Sequence, residues 1–256
     1  MIGKSVSIFA AVYFCFAATF CYSDDLSAES CQSTVDAFSS LTEDLQTPWY
    51  FYRKNAVRIG LEFNAGSYFS ALTHLSMSDG YVLDYVYKYD FMGGYPILYP
   101  RKVWQLPFFT YSRYLRRNVG KEPEYEYLNY VQVDDTEYGF FEFVVFRIMG
   151  GQFYLHWHAG YNDDTVVCDS SGLEMILSEI DYMYASEYSS VPDEARSLDI
   201  EPVVALEDRT VLVEVIYFTK WGGFKQASYI ISRDFPHTVL NEEHETLVPY
   251  DCGWVY

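Results

Sequence analysis

Two histidines one residue apart are the first feature of the sequence that could do chemistry. His156 and His158 lie in the segment GGQFYLHWHAGYNDD, and Asp163 follows five residues later. Alternate side chains of an extended strand point to the same face, so both imidazoles are expected to project together. A catalytic zinc takes three protein ligands of this kind. His156, His158 and Asp163 are therefore the candidate set for an exported hydrolase or another metal-dependent enzyme.

The same stretch also fits a binding surface without a metal, which is the interpretation we prefer. Glycine adopts the positive φ of a type I′ turn, so Gly150 and Gly151 predict a hairpin over residues 140–158. That register places the Arg147 cation diagonal to His156, which disfavours a bound metal ion. We expect no metal and no cofactor. The expected site for a small polar ligand or a protein partner is the polar face of the hairpin with its following loop: Tyr154, His156, His158, Asn162 and Asp163.

The charge balance excludes one large class of partners. The chain has 36 acidic residues against 17 lysines and arginines, a formal net charge of −19. Such a chain repels phosphate backbones, so nucleic acid is not an expected partner. By the same reasoning, an anionic membrane surface is not expected to attract it.

Residues 1–23 have the pattern of a secretory signal peptide. Lys4 is the only charged residue before Asp24, and the segment between Ile8 and Tyr22 is almost wholly apolar. This apolar run of about 15 residues is short for a membrane span, which needs roughly 20. We expect cleavage near Ser23 and a secreted or periplasmic protein with no further membrane attachment. An uncleaved anchor is the alternative.

Three cysteines remain after such a cleavage, namely Cys31, Cys168 and Cys252. Export permits disulfide formation, and three thiols allow at most one internal bond. All three pairings are open at this point. No C-x-x-C pair is present, so the sequence indicates neither a zinc ribbon nor a thioredoxin-like redox site.

Hydrophobic periodicity predicts both helices and strands. The segment 24–47 has apolar residues at near-helical spacing, and residues 108–117 suggest a short second helix. The segment SSGLEMILSEIDYMY has a strong helical pattern, with Ser171 and Glu174 as a capping box. Residues 81–90 alternate in the manner of a half-buried strand, and two further strands are expected after residue 210.

A Gly-Gly pair between two apparent strands occurs three times, at positions 93–94, 150–151 and 222–223. Shared turn chemistry is the simpler explanation, and an ancient duplication is the alternative. We predict an α+β fold: a predominantly antiparallel β-sheet built from Gly-Gly hairpins, with two or three packed helices. Residues 24–256 are expected to form a single domain, with a sub-boundary near 187–198 if there is one.

Motifs that would identify a particular enzyme are missing from the sequence. There is neither a glycine-rich phosphate loop nor a G-x-S-x-G nucleophile elbow. The first hypothesis is therefore a non-catalytic exported protein that binds a ligand or a protein. The second is the hydrolase or metal-dependent enzyme centred on the two histidines.

Overall fold

A computed structural model describes residues 26–90, 92–118, 125–157, 163–180 and 190–252. The predicted signal peptide (1–23), His158 and Asn162 lie outside the described residues. In these ranges no helix is both long and apolar enough to cross a bilayer.

The described residues form short helices and antiparallel strands. The α-helices are α1 (Ala28–Ser40), α2 (Tyr111–Arg117), α3 (Glu137–Met149), α4 (Ser170–Glu179) and α5 (Val191–Arg196), and 3-10 helices cover Trp49–Phe51, Ala65–Ser70 and Glu126–Tyr130. The strands are β1 (Leu75–Met77), β2 (Tyr81–Asp90), β3 (Gly93–Lys102), β4 (Val131–Val133), β5 (His156–Trp157), β6 (Thr165–Val167), β7 (Val203–Leu206), β8 (Thr210–Thr219), β9 (Gly223–Ser232) and β10 (Val239–Val248).

The strands pair into three sheets, and every pairing is antiparallel. The largest sheet has the order β10–β9–β8–β6, and β7 pairs with another part of β8. The second sheet has the order β2–β3–β5, and β1 pairs with β4. The α+β class with antiparallel sheet is therefore confirmed.

The largest sheet is covered by helices on both faces. Val211, Val213 and Val215 of β8 join the main core with α3, whereas Ile216 and Phe218 pack with α4 and α5. This division follows strand alternation, because successive side chains of β8 point to opposite faces. The result is a layered arrangement in which the sheet lies between α3 and the α4–α5 pair.

Aromatic side chains fill much of the main core. Tyr87 of β2 stacks on Phe51 with ring centroids 4.2 Å apart, and Tyr68 stacks on Phe38 at 4.5 Å. The opposite face of the β2–β3 hairpin is also covered, because Tyr114 of α2 packs there and is 1% exposed. Both faces of this hairpin therefore bury aromatic groups.

The predicted hairpin over residues 140–158 is wrong, because most of that segment is helix α3. Thr136 caps the helix by accepting a hydrogen bond from the Gly139 backbone N–H at 3.0 Å. Residues from Phe140 to Phe146 are buried on every side of the helix. A helix that is apolar all round lacks the 3.6-residue pattern and has the same sequence appearance as a buried strand.

Gly150 ends α3 and does not form a hairpin turn. A Cβ atom at this position would lie 2.5 Å from the carbonyl oxygen of Phe146 and 2.9 Å from its ring. A Cβ on Gly151 would have no neighbour within 4 Å. Glycine is therefore needed at position 150 for close packing at the helix end.

The other two glycine pairs lie beside turns rather than at their centres. Asp90 pairs with Gly93 and Tyr89 with Gly94, so both glycines belong to the paired part of β3. Thr219 pairs with Gly223, which places the β8–β9 turn at residues 220–222. Gly223 has φ +80°, and a Cβ there would lie 2.0 Å from the carbonyl oxygen of Val248. Hairpins built on central Gly-Gly turns are therefore not confirmed.

The helix predicted over residues 170–184 is described as α4 over Ser170–Glu179, and its N-cap precedes the expected capping box of Ser171 and Glu174. Residues 181–184 lie outside the described residues. Asp169 is the N-cap, and its carboxylate accepts hydrogen bonds from the backbone N–H groups of Ser171 and Gly172 at 2.9 Å. The first helix extends over Ala28–Ser40, within the predicted segment. The thiols of Cys31 in α1 and of Cys168 just before α4 are both buried, and burial together with the neighbouring Cys31 thiol raises the pKa of the Cys168 thiol.

Candidate functional site

The residues of the predicted site are placed in different surroundings. His156 lies in the two-residue strand β5, where it pairs with Gly94 of β3. Its ring packs against Tyr52 with centroids 4.5 Å apart and against Tyr89 at 5.9 Å. The imidazole is half-buried between two tyrosines, at the end of the β2–β3–β5 sheet.

Tyr154 belongs to the core and does not share an outward face with His156. It is 7% exposed, and its hydroxyl accepts a hydrogen bond from the Phe63 backbone N–H at 3.0 Å. Its carbonyl oxygen accepts a hydrogen bond from the Tyr87 hydroxyl at 2.7 Å. Tyr154 also has φ +53°, a left-handed conformation that breaks the strand alternation on which the predicted polar face depends.

Asp163 lies beside the β8–β9 turn, where its carboxylate forms an ion pair with Lys220. The neighbouring Asp164 is held by a hydrogen bond to Thr219, but desolvation raises its pKa to about 6. Among the described ranges, no group of three His, Cys, Asp or Glu side chains has the arrangement of a metal site. His158 and Asn162, the other two members of the predicted site, are outside those ranges.

A cleft of about 700 Å³ lies elsewhere, where the end of α3 meets the 3-10 helix Glu126–Tyr130 and the start of β10. This volume is within the range of small-molecule sites, roughly 300–1,000 Å³. Its lining combines aromatic, amide and charged side chains with three aliphatic ones: Tyr125, Glu126, Leu128, Asn129, Arg147, His237, Val239, Leu240, Asn241 and Glu242. We call this the Arg147 cleft.

Arg147 is the central charged residue of the cleft. Its guanidinium carbon lies 3.8 Å from the ring centroid of Tyr125 and 5.7 Å from that of Tyr229. One Nη donates a hydrogen bond to Glu242, whereas Nε is buried without a hydrogen-bond partner in the part of the chain described. The arginine is thus clamped by aromatic faces and a carboxylate, with one N–H unsatisfied.

Glu242 connects Arg147 to a second pair of side chains. Its other carboxylate oxygen lies 2.9 Å from Nε2 of His244, and Nδ1 of His244 lies 3.2 Å from the Tyr217 hydroxyl. Burial alone raises the pKa of Glu242, but the hydrogen bond from His244 and the charge of Arg147 lower it below its ordinary value. The carboxylate is therefore ionised at neutral pH.

His237 closes one wall of the cleft as a neutral side chain. It is 5% exposed, and desolvation lowers its pKa. Nε2 accepts a hydrogen bond from the Val133 backbone N–H at 3.4 Å, which assigns the ring proton to Nδ1 beside the carbonyl oxygen of Ser232. With Arg147 cationic and two carboxylates present, the charged groups of the cleft sum to about −1.

Tyr125 presents its ring to the cleft from a strained backbone. Its φ of 63° and ψ of 5° are left-handed, at the N-cap of the 3-10 helix. Such a conformation costs about 1 kcal/mol or more for a residue with a side chain, and strained residues concentrate at functional sites. The ring remains 39% exposed while it stacks on Arg147.

Sequence reasoning missed this cleft because its walls come from segments far apart in the chain. Tyr125, Arg147 and Glu242 are brought together only when α3 packs against β10 and the 3-10 helix. The sequence signal for the cleft is a lone arginine at the end of an apolar segment, and the hairpin prediction gives that arginine no role in a site. Comparison with known proteins adds no guide, since no family model, curated protein or solved structure matches the chain with significance.

Proposed function

We propose that this is an exported, non-catalytic binding protein that takes a small neutral ligand rich in hydroxyl groups, of the sugar type, in the Arg147 cleft. The observation that carries the proposal is the 700 Å³ cleft itself, whose lining brings Arg147, Glu242 and two asparagines together beside the partly exposed ring of Tyr125.

The mixture of side chains supports a hydroxyl-rich ligand. Asn129, Asn241 and Glu242 offer planar groups that can bond two adjacent hydroxyls. The exposed part of the Tyr125 ring offers a flat apolar surface for the C–H face of a sugar ring. Cavities for small molecules characteristically combine apolar walls with a few polar groups of this kind.

The charges favour a neutral ligand over an anion. Arg147 is already paired with Glu242, and Glu126 adds a second carboxylate to the lining. An acidic ligand would meet these carboxylates at short range and would have to displace Glu242 from the arginine. A neutral polar ligand can bond both members of the pair while leaving it intact.

The cleft is organised before any ligand arrives. The Tyr125–Arg147–Tyr229 stack and the Arg147–Glu242–His244 chain fix the side chains that would contact a ligand. Fixing these side chains in advance lowers the entropy cost of binding. By contrast, a metal centred on His156 and Asp163 would have to displace Lys220 from Asp163.

The test is a comparison of two tyrosine variants against a panel of sugars. Tyr125→Ala removes the cleft ring, and Tyr52→Ala removes a tyrosine of similar exposure, 42% against 39%, beside His156. Neutral mono- and oligosaccharides, with glucuronate as the anionic comparison, are titrated by calorimetry and by the shift in melting temperature.

We expect binding of at least one neutral sugar, with affinity reduced about tenfold or more by Tyr125→Ala and unchanged by Tyr52→Ala. Preference for glucuronate, or equal losses in the two variants, would contradict the proposal. Absence of any response across the neutral panel would exclude the sugar class.

A further inference from the structure

A second surface, on the other side of the β2–β3 hairpin from the aromatic core, has the opposite charge from the rest of the chain. Residues 101–118 contain five lysines and arginines, of which Arg101 is paired with Asp84, and no acidic residue, whereas the whole chain has 36 acidic residues and a net charge of −19. Arg113, Arg116 and Arg117 follow the i, i+3, i+4 spacing that places them on one side of α2. In the part of the chain that the structure describes, none of these three arginines has an ion-pair partner.

Large apolar side chains project next to these arginines. Trp104 and Leu106, in the loop after β3, are 77% and 79% exposed, and Val103 is 57% exposed. A second loop adjoins this one, because the Arg58 backbone N–H donates to the Phe109 carbonyl oxygen at 2.9 Å. That second loop carries exposed aliphatic residues of its own: Val57 (46%), Ile59 (58%) and Leu61 (85%). We call the two loops and the outer side of α2 the basic apolar face.

Buried aromatic side chains support the basic apolar face from the protein interior. Tyr114 of α2 is buried against Tyr99 and Phe108, with ring centroids 5.2 and 5.7 Å apart. The Phe108 backbone N–H also donates to the Tyr99 hydroxyl at 2.9 Å. The exposed apolar side chains therefore belong to segments that are anchored by buried aromatic groups, so their exposure is a property of the fold.

We propose that the basic apolar face docks on an anionic lipid bilayer, independently of the Arg147 cleft. Side chains that are more than three quarters exposed protrude, and a bilayer interface can accept several protruding groups at once. Tryptophan favours the membrane interface, and arginines beside it can pair with lipid phosphates while their stems cover apolar surface. Peripheral binding of this kind combines buried apolar area with attraction to anionic headgroups.

The net charge of the chain predicts repulsion from such a bilayer, but charge acts locally. At physiological ionic strength the screening length is about 8 Å, so a docked face responds mainly to its own charges. The acidic remainder of the surface then favours the single orientation that turns it away from the lipid. Each arginine near an anionic surface changes the partition coefficient about fivefold, a contribution of about 1 kcal/mol.

The test is co-sedimentation of the full chain with vesicles. One preparation is three parts phosphatidylcholine to one part phosphatidylglycerol, and the other is phosphatidylcholine alone. The charge variant Arg116→Gln/Arg117→Gln is compared with Arg196→Gln/Arg209→Gln, which removes the same charge from exposed arginines elsewhere. Because every variant carries the same N-terminal segment, differences between them report on the face alone.

We expect binding to the anionic vesicles that is weakened about twenty-fivefold by Arg116→Gln/Arg117→Gln and is unchanged in the control. Leu106→Ala should also weaken binding, whereas Met175→Ala on α4, 47% exposed, should not. Binding should fall in 0.5 M salt, and Trp104→Phe should remove the blue shift of tryptophan fluorescence on anionic vesicles. Unchanged melting temperatures would show that the variants fold.

Equal binding to both vesicle types, or equal losses in the control variants, would overturn the proposal. Another outcome is that the protein fails to co-sediment with either vesicle type and binds a synthetic glutamate- and leucine-rich peptide through Arg116 and Arg117. That result would assign the face to an acidic protein segment and would also overturn the membrane proposal.

Discussion

Glu142→Gln is expected to change the stability of the protein in a way that depends on pH. Glu142 is 1% exposed in the middle of α3, where its carboxylate accepts a hydrogen bond from the His74 backbone N–H at 2.8 Å. Burial raises its pKa to about 7 from an ordinary value of 4.5, although backbone hydrogen bonds from residues 73 and 74 oppose the rise. The folded chain therefore binds this proton more tightly than the unfolded chain does.

The sign and size of the effect follow from the two pKa values. A raised pKa in the folded state contributes stability that is fully present below pH 4.5 and is lost as the pH rises through about 7. The change from 4.5 to about 7 corresponds to about 3 kcal/mol of unfolding free energy. Glutamine is neutral at every pH, and its carbonyl oxygen can keep the hydrogen bond from His74.

Urea unfolding followed by tryptophan fluorescence at pH 4.5 and pH 8 measures the effect. Glu142→Gln should be close to wild type at pH 4.5 and about 3 kcal/mol more stable at pH 8. Glu245→Gln, on the exposed part of β10, is the control and should alter neither value appreciably. Titration of Asp164 is common to all three chains and cancels in the comparison. The reasoning is refuted if Glu142→Gln changes the free energy equally at both pH values.

Three further experiments test the packing. Gly150→Ala should lower the unfolding free energy by about 1–3 kcal/mol, because its Cβ would overlap the preceding helical turn. Gly151→Ala is the control and should be neutral, so equal melting temperatures of the two variants would contradict the prediction. Asp84→Asn should cost about 3–5 kcal/mol in urea unfolding, because two partly buried arginines lose the buried carboxylate that they share, and a loss below 1 kcal/mol would contradict this. Non-reducing peptide mapping of the protein purified without reductant should find a disulfide between Cys31 and Cys168, whose buried thiols are neighbours, and alkylation of both would disprove it.

The sequence correctly predicted the helices whose apolar residues lie on one side. Helix α4 buries Leu173, Ile176 and Leu177 at helical spacing, and α1 buries Val35 and Phe38 in the same way. Both helices cover one side of a neighbouring layer, so their polar and apolar residues alternate with the helical period. For these elements the sequence pattern was sufficient.

Helix α3 could not be recognised in this way, because it is packed on all sides. Its segment contains many phenylalanine and valine residues, which favour strands, and tertiary burial outweighs that preference. The Gly-Gly pair after it fits a hairpin turn and a helix end equally well in sequence. Thr136 and Glu137 at the start of the segment, and Arg147 near its end, were the signals of a helix.

The site residues were misjudged for a related reason. A hairpin would place Tyr154 and His156 on one face, whereas the observed Tyr154 has a left-handed backbone and a buried ring. The residues around Arg147 are separated by about a hundred positions in the chain. Their proximity depends on how helix and sheet pack, and a single sequence has no local pattern for that.

The acidic edge strand of the largest sheet, β10, affects how two copies of the chain can associate. β10 lies at the end of the described sheet order, and all residues from Leu240 to Thr246 are exposed. A strand in that position offers its backbone as a template for edge-to-edge association. Glu243 and Glu245 would bring carboxylates together in a pair of such strands, so electrostatic repulsion opposes the association of two copies through this edge.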